Sequence, residues 1–269
     1  MSADLSLSKQ AADSSGLSFD NQRMTRRYFA PDLLEQHGTL ALSDDEARHA
    51  ARVMRLQPGD SLELFDGAGN QADAIVLHID KRSCTVQFEP ATEVNREPHV
   101  HSHLLIALPK PERAKEMAER LCELGVGEIT PVSCQRTQRP PTQHLLEKLR
   151  RTMIESCKQS THNVVPVLND CVEFARAVDL VKEQRPLVAW IAHPGGQDLL
   201  EIDLAATQSS AADSVNGREQ ALALIGPEGG FTDEETQLAC QTGWTKVGLG
   251  QRIYRVETAA VVIQTVLSR

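Results

Sequence analysis

The chain has 269 residues, is 41% hydrophobic and 24% charged, and carries a formal net charge of −9 at pH 7. That length holds two modest domains with separate cores, and the composition is that of a globular protein. No apolar run approaches the roughly 20 residues needed to span a bilayer, which argues against a membrane partner.

The six cysteines (Cys84, Cys122, Cys134, Cys157, Cys171, Cys240) form no C-x-x-C pair. They predict reduced, mostly buried thiols in a cytoplasmic protein rather than a zinc or disulfide framework. The acidic total does not favour a nucleic-acid partner. However, residues 99–168 carry ten Lys/Arg against seven Asp/Glu, and residues 169–219 four against nine. The acid surplus therefore lies apart, and a single basic face for RNA stays open because phosphate attraction is screened within about 8–10 Å.

In chain order, residues 1–22 are Ser/Ala/Asp-rich, without a basic start or an apolar core. They read as a disordered extension and not as a secretory signal. Residues 23–98 read as a small β domain. A helix over 43–52 has Ser43 as N-cap and Glu46 completing a capping box. Strands at 61–65, 72–79 and 84–88, turned at 66–70 and 80–83, make an antiparallel meander that would close as a barrel or half-barrel.

Residues 99–269 read as a second domain. A strand over 99–108 leads to a helix from Pro111 to Leu124, with Gly125 as its stop. A strand over 128–133 follows, then a long helix capped by Thr142 and running to Ser160. A third strand over 187–192 ends in His193-Pro194-Gly195-Gly196. Residues 198–219 are acidic, without period, and expected to contain a mobile loop. At least five strands alternate with helices, which is the α/β signature.

Two glycine-bearing loops near the C-terminus are the most informative feature. The first is Ile225-Gly226-Pro227-Glu228-Gly229-Gly230-Phe231, followed by a capping box of Thr232 and Glu235. The second runs from Val247-Gly248-Leu249-Gly250 through Gln251-Arg252-Ile253-Tyr254-Arg255 into Val256-Glu257-Thr258-Ala259-Ala260. Two strand–loop–helix units in tandem place two sets of exposed amides at one end of a parallel sheet, where open α/β sheets bind ligands. Neither loop is a G-x-G-x-x-G or a G-x-x-x-x-G-K-[ST] cradle.

Taken together, IGPEGGF followed by LGQRIYRVETAA resembles the last two signatures of the SPOUT methyltransferases. Within them it is most similar to the ribosomal RNA small-subunit methyltransferase E family, which methylates N3 of a uridine in 16S ribosomal RNA. Weaker signatures extend the resemblance from Arg27 to the end: Arg27-Tyr28-Phe29-Ala30-Pro31, then His49…Arg52-Val53-Met54-Arg55-Leu56…Gly59-Asp60, then Lys110…Lys115…Glu123-Leu124-Gly125-Val126, then Glu155-Ser156-Cys157-Lys158-Gln159-Ser160. Three positions depart from it, with Lys158 where an acidic residue is usual, His162 for arginine and Val256 for threonine. The resemblance implies an α/β C-terminal domain whose parallel sheet carries a trefoil knot, preceded by a PUA-like β-barrel that docks RNA. It also implies S-adenosylmethionine as cofactor, a homodimer, and 16S ribosomal RNA in the small subunit as partner. A knotted enzyme acting on another RNA such as tRNA, and a non-catalytic ribosome-assembly factor, are the competing functions.

On that basis the cofactor site comprises His193, Pro194, Ile225, Gly226, Pro227, Gly229, Gly230, Leu249, Gly250, Ile253, Tyr254, Arg255 and Thr258. His193 could instead cap its strand. Uracil N3 carries a proton, so a base or an electrostatic partner must favour the anionic ring. Arg255, Glu257 and Glu228 are the candidates. Glu257 would also suit the start of a helix as a dipole partner, and Glu228 would also serve to structure its loop. Candidate RNA contacts are Arg27, Arg55, Lys110, Lys115, Arg136 and Arg139, although any one such residue is more often a solvated surface charge. His99, His101 and His103 alternate on one strand face, but with no carboxylate evident in register they read as surface or interface histidines and not as a metal site. The helix over 258–267 is apolar nearly all round and should be buried by a second subunit.

Overall fold

A computed structural model describes residues 26–35, 38–202, 204 and 214–269. The extension expected at 1–22 lies outside them, as does most of the central part of the acidic stretch.

The first sheet comes from β1 (Arg27–Phe29), β2 (Thr39–Ala41), β3 (Ser61–Phe65), β4 (Asn70–Ile79), β5 (Cys84–Phe88) and β6 (Thr92–Glu93). Its order is β1-β3-β4-β5-β2, with β6 paired to β4. The expected meander is β3–β5, but β1 joins it in parallel, and β1 and β2 are the two ends of an open hydrogen-bonded path. Between β2 and β3, α1 (Asp44–Arg48) continues as one π-helical turn, His49–Val53. Ser43 caps α1, its Oγ accepting from the Glu46 amide at 3.4 Å. The reciprocal half of the expected capping box is not made, because the Glu46 carboxylate is engaged elsewhere.

The second sheet is built from β7 (Val100–Ile106), α2 (Pro111–Glu123), β8 (Glu128–Ser133), α3 (Gln143–Ser160), β9 (Val167–Leu168), β10 (Val172–Glu173), α4 (Phe174–Gln184), β11 (Val188–Asp198), β12 (Ser214–Val215), β13 (Arg218–Ile225), α5 (Asp233–Thr242), β14 (Thr245–Gly248) and α6 (Val256–Leu267). Its order is β10-β8-β7-β13-β11-β14, parallel throughout. Parallel strands covered on both faces need apolar side chains on both, and the sequence supplies them. Leu104, Ile106, Ala223, Ile225 and Trp190 join the core under α2, α3 and α6. Their neighbours Leu105, Leu222, Leu224 and Ile191 join the core under α4 and α5. The loop expected at 198–219 is shorter at its end, since β12 forms a hairpin with β13.

The two sheets meet through buried polar groups. Arg27 is only 3% exposed. Its Nε donates to Glu63 Oε1 at 2.5 Å, its Nη1 to the carbonyls of Cys157 (3.0 Å) and His162 (3.3 Å), and its Nη2 to Asn163 Oδ1. The guanidinium lies 4.6 Å from the Phe65 ring centroid. Arg27 is therefore corrected from a candidate RNA contact to a residue that ties β1 to the end of α3. The Lys158 ammonium donates to both Glu46 oxygens at 3.0 Å and to Glu155 at 2.9 Å. Burial holds the Glu46 carboxyl above the usual carboxylate range, and the ammonium pulls it back only in part. The chain after α3 completes the joint, with Val165 N donating to Gly67 O (2.9 Å) and Gly69 N to Asn163 O (3.1 Å). His162 Nδ1 lies 3.5 Å from Glu97. Two of the three departures from the family pattern, Lys158 and His162, thus face partners inside this joint.

The alternating histidines also need correction. His99 is exposed, but His101 and His103 are buried. They do have a carboxylate: Glu128 Oε2 lies 4.0 Å from His101 Nε2, and Glu128 Oε1 lies 3.6 Å from His103 Nε2. Its register on β8 was not visible from β7 alone. His103 Nε2 is 2.7 Å from Thr130 Oγ1, and Arg218 lies 3.2 Å from His101 Nδ1. Burial pushes the His103 pKa below its usual 6.5 despite Glu128.

Two outcomes follow from the buried charges. Lys158→Met strands the Glu46 carboxylate and should cost about 3–5 kcal/mol in urea unfolding, most of it recovered by adding Glu46→Leu. A loss under about 1 kcal/mol, the range of exposed pairs, would contradict a buried bridge. For His103, the unfolded chain takes up a proton below 6.5 that the folded chain does not. Stability should therefore decline as pH falls through that window, and His103→Gln should flatten the slope. Identical slopes for the two proteins would rule the group out.

Candidate active site

The site is organised by the position of β11 between β13 and β14. Ile191 faces Leu224 on one side and Lys246 on the other, and Ala192 faces Val247. The β14 ladder then jumps: Val247 is met again by Gln197, and Gly248 by Asp198. Residues 193–196 are looped out between these points. This corrects the strand end expected at Ala192, since the His-Pro-Gly-Gly segment is a bulge inside a longer strand. Gly196 is required there because a Cβ would lie 2.5 Å from the Val247 amide nitrogen.

Because the strands are parallel, the bulge and both glycine loops gather at one end of the sheet. In the first loop, Gly230 N closes a turn on Pro227 O at 2.8 Å, and Gly230 takes a φ of +69°. The capping box forms as the sequence predicts, with Thr232 Oγ1 accepting from Glu235 N at 3.2 Å and Glu235 Oε2 from Thr232 N at 2.9 Å. The second oxygen of Glu235 accepts from Gln135 N at 2.7 Å. Phe231 turns inward onto Phe174, with ring centroids 5.5 Å apart. The second loop runs from Leu249 to Arg255, the N-cap position of α6.

Between them lies a cavity of about 330 Å³, within the roughly 300–1,000 Å³ range of small-molecule sites. It is lined by ten of the thirteen residues expected at the cofactor: His193, Pro194, Ile225, Gly226, Pro227, Gly230, Leu249, Gly250, Ile253 and Tyr254. Gly229, Arg255 and Thr258 are not in the lining. Gly229 faces outward instead, where a Cβ would sit 3.4 Å from the Arg136 side chain. Sequence reasoning missed Ala192, Phe231, Arg252, Val256 and Ala259. Val256 and Ala259 are three apart and share a helix face, a signal available once α6 starts at Val256 rather than at Thr258. Val256, the third departure from the family pattern, is buried in this wall.

Glu228 lines the cavity and is exposed. Arg255 is exposed at the N-cap of α6, on the other glycine loop. Glu257 sits in the first turn of α6, with Oε1 3.8 Å from Arg113 Nε. Its Oε2 is buried without a hydrogen-bond partner among the described residues, and so is His193 Nδ1. A buried polar atom left unpaired costs about 1–3 kcal/mol, so a ligand that satisfies His193 binds where the fold leaves a need.

The basic candidates divide. Arg55 is exposed in the left-handed region, with φ +52°. Lys110 is exposed at the N-cap of α2, Lys115 is exposed and 3.4 Å from Glu119, and Arg139 is exposed. Arg136 donates to the carbonyls of Gly229 (2.8 Å) and Phe231 (3.2 Å). Among the described residues no three His, Cys, Asp or Glu side chains are grouped to hold a metal, and all six cysteines are free. Burial pushes the Cys134 thiol up to about 12, leaving it protonated and unreactive.

Comparison with known proteins agrees with this layout. The sequence model of the RNA methyltransferase domain matches residues 95–268, and that of the RNA methyltransferase PUA domain matches residues 42–89. Ribosomal RNA small subunit methyltransferase E of Synechocystis sp. is 30% identical over 237 residues, covering 88% of this chain and 75% of that protein. A methyltransferase from Legionella pneumophila, solved in complex with the bound cofactor SAM, is 30% identical with a TM-score of 0.79, covering 90% of this chain and 96% of its own. Ribosomal RNA small subunit methyltransferase E from Neisseria gonorrhoeae, bound to S-adenosyl methionine, is 25% identical with a TM-score of 0.76, covering 89% and 95%. With the RNA methyltransferase model matched over residues 95–268 and a 30% identical relative covered over 75% of its length, the chain belongs to the ribosomal RNA small subunit methyltransferase E family.

Proposed function

We propose that the chain transfers a methyl group from S-adenosylmethionine to N3 of a uridine in the 16S ribosomal RNA of the small ribosomal subunit. The observation that carries this reading is the cavity between the two glycine loops, in a chain whose relatives of the same architecture were solved with that cofactor. The residues suit the group. Ile225, Leu249, Val256 and Phe231 give apolar walls, the loop backbone comes close at Gly226 and Gly250, and the unpaired His193 Nδ1 offers a polar contact.

When bound, the cofactor supplies an electrophilic methyl on a sulfonium sulfur. The chain's own part is to align the uracil and to manage one proton. N3 must release its proton to present a lone pair. Glu228, the one carboxylate among the described residues of the cavity wall, is the first candidate to accept it, and Glu257, whose buried Oε2 has no hydrogen-bond partner among the described residues, is the second. Arg255 would stabilise the charge that builds on the uracil oxygens, its planar fork holding two acceptors at once.

The reading extends to organisation. Residues 23–98 act as a PUA-like module that docks RNA through Arg55, and residues 99–269 as a catalytic module with a trefoil thread at its C-terminus, contacting RNA with Lys110, Lys115 and Arg139. No helix among the described residues is long and apolar enough to cross a membrane, in keeping with a cytoplasmic enzyme. Val261 and Val262 stay half-exposed on α6, and Ile253 in the cavity lining is 91% exposed. A second subunit related by a two-fold axis would cover these groups.

Titration calorimetry should show S-adenosylmethionine binding, and single-turnover reactions with purified small subunits should show methyl transfer. Arg255→Lys should keep cofactor affinity while slowing transfer on the order of a hundredfold, as loss of one transition-state donor does. A normal rate would reduce Arg255 to a bystander, and binding of subunits without any transfer would favour an assembly factor. Light scattering should give a dimer at micromolar concentration, converted to monomer by Val262→Glu. A fully active monomer would refute the two-fold arrangement.

A further inference from the structure

We infer that Arg136 is a positioning residue for the cofactor loop rather than an RNA contact, an assignment that rests on the function proposed above. Arg136 lies after β8, 93 residues before its nearest partner in the chain. Its Nη1 donates to Gly229 O at 2.8 Å and to Phe231 O at 3.2 Å, bracketing Gly230. A peptide unit is planar and trans, so fixing a carbonyl also fixes the following N–H on the opposite side. The N–H after the Gly229 carbonyl belongs to Gly230 and closes the turn on Pro227 O at 2.8 Å. The N–H after the Phe231 carbonyl belongs to Thr232 and donates to Glu235 Oε2 at 2.9 Å. One guanidinium nitrogen therefore sets two peptide planes, the one that closes the glycine turn and the one that caps α5.

Gly230 needs this restraint most. It takes a φ of +69°, and an added Cβ would meet nothing within 4 Å, so no packing limits its backbone. A glycine free of neighbours has the largest conformational freedom to lose on binding. The adjoining residue makes the second tie, Gln135 N to Glu235 Oε1 at 2.7 Å. Together the residues after β8 hold both ends of the segment that walls the cavity. A lysine at 136 would keep the charge but not the fixed fork. Pre-ordering of this kind raises affinity by lowering the cost of ordering the loop, without touching the ligand.

The test combines a ligand-free and a ligand-bound readout on Arg136→Ala and Arg136→Lys. In the free protein, amide hydrogen exchange at Gly230 and Thr232 should speed up at least about tenfold in the alanine variant, matching loss of charge-assisted bonds, and less in the lysine variant. By calorimetry, S-adenosylmethionine should bind about tenfold or more weakly to the alanine variant. The KM for the cofactor should rise, while kcat at saturating cofactor and the affinity for small-subunit RNA stay near wild type. The inference is overturned if exchange at the two amides is unchanged. It is also overturned if RNA affinity falls while cofactor affinity holds, because Arg136 would then be a phosphate contact. Failure of the parent protein to bind S-adenosylmethionine would instead sink the functional reading, and the exchange measurement would still judge the restraint.

Discussion

The site depends on one strand being shared by two ladders. β11 pairs with β13 up to Ile191 and with β14 up to Ala192, then leaves β14 and returns to it at Gln197. Everything at the ligand end follows from that detour. The looped-out His193–Gly196 segment cannot close back into the sheet, and the loops that follow β13 and β14 flank it on either side. Backbone-to-backbone contact at Gly196 makes the detour possible, and the strand's apolar half, Val188–Ile191, anchors it in both cores. A cavity made this way is walled by main chain and apolar side chains, with few polar groups to specify a ligand. That explains why the unpaired His193 Nδ1 matters more than its single atom suggests.

The second constraint is the polar joint. Buried ion pairs are weak sources of stability, since desolvation offsets most of the Coulomb gain, but breaking one is costly. Arg27 and the Glu46–Lys158 pair therefore act chiefly to fix which surfaces meet. An apolar contact of the same size would tolerate sliding; a guanidinium shared among Glu63, Asn163 and two carbonyls does not. On the proposed function, with RNA docked on one sheet and methylated at the other, a fixed angle between the two is the useful property.

Local features were legible in the sequence and distant ones were not. The Thr232–Glu235 capping box, the Thr142 cap and the glycine turn rest on residues within a few positions of one another, and all three form as read. The capping box expected from Ser43 and Glu46 has the same local pattern and forms only by half, because Lys158, 112 residues away, takes the carboxylate. Arg27 looked like a surface charge for the same reason, its polar partners lying 36 to 136 residues along the chain. His101 and His103 lacked a visible carboxylate because Glu128 reaches them only once β7 and β8 pair in register. At the cavity, residue types at the two loops pointed to most of the wall, while Gly229 lies outside it, its carbonyl accepting from Arg136, a residue outside the motif. The family resemblance carried the cofactor and the substrate, which turn geometry alone does not specify.

The most direct test of the central claim is mass mapping of methylated uridines in small-subunit ribosomal RNA from cells lacking this gene, with and without complementation by the intact chain and by Arg255→Lys. The account predicts that a single N3-methyluridine disappears in the deletion, returns with the intact chain, and returns slowly or incompletely with the variant. An unchanged modification pattern in the deletion strain would contradict it.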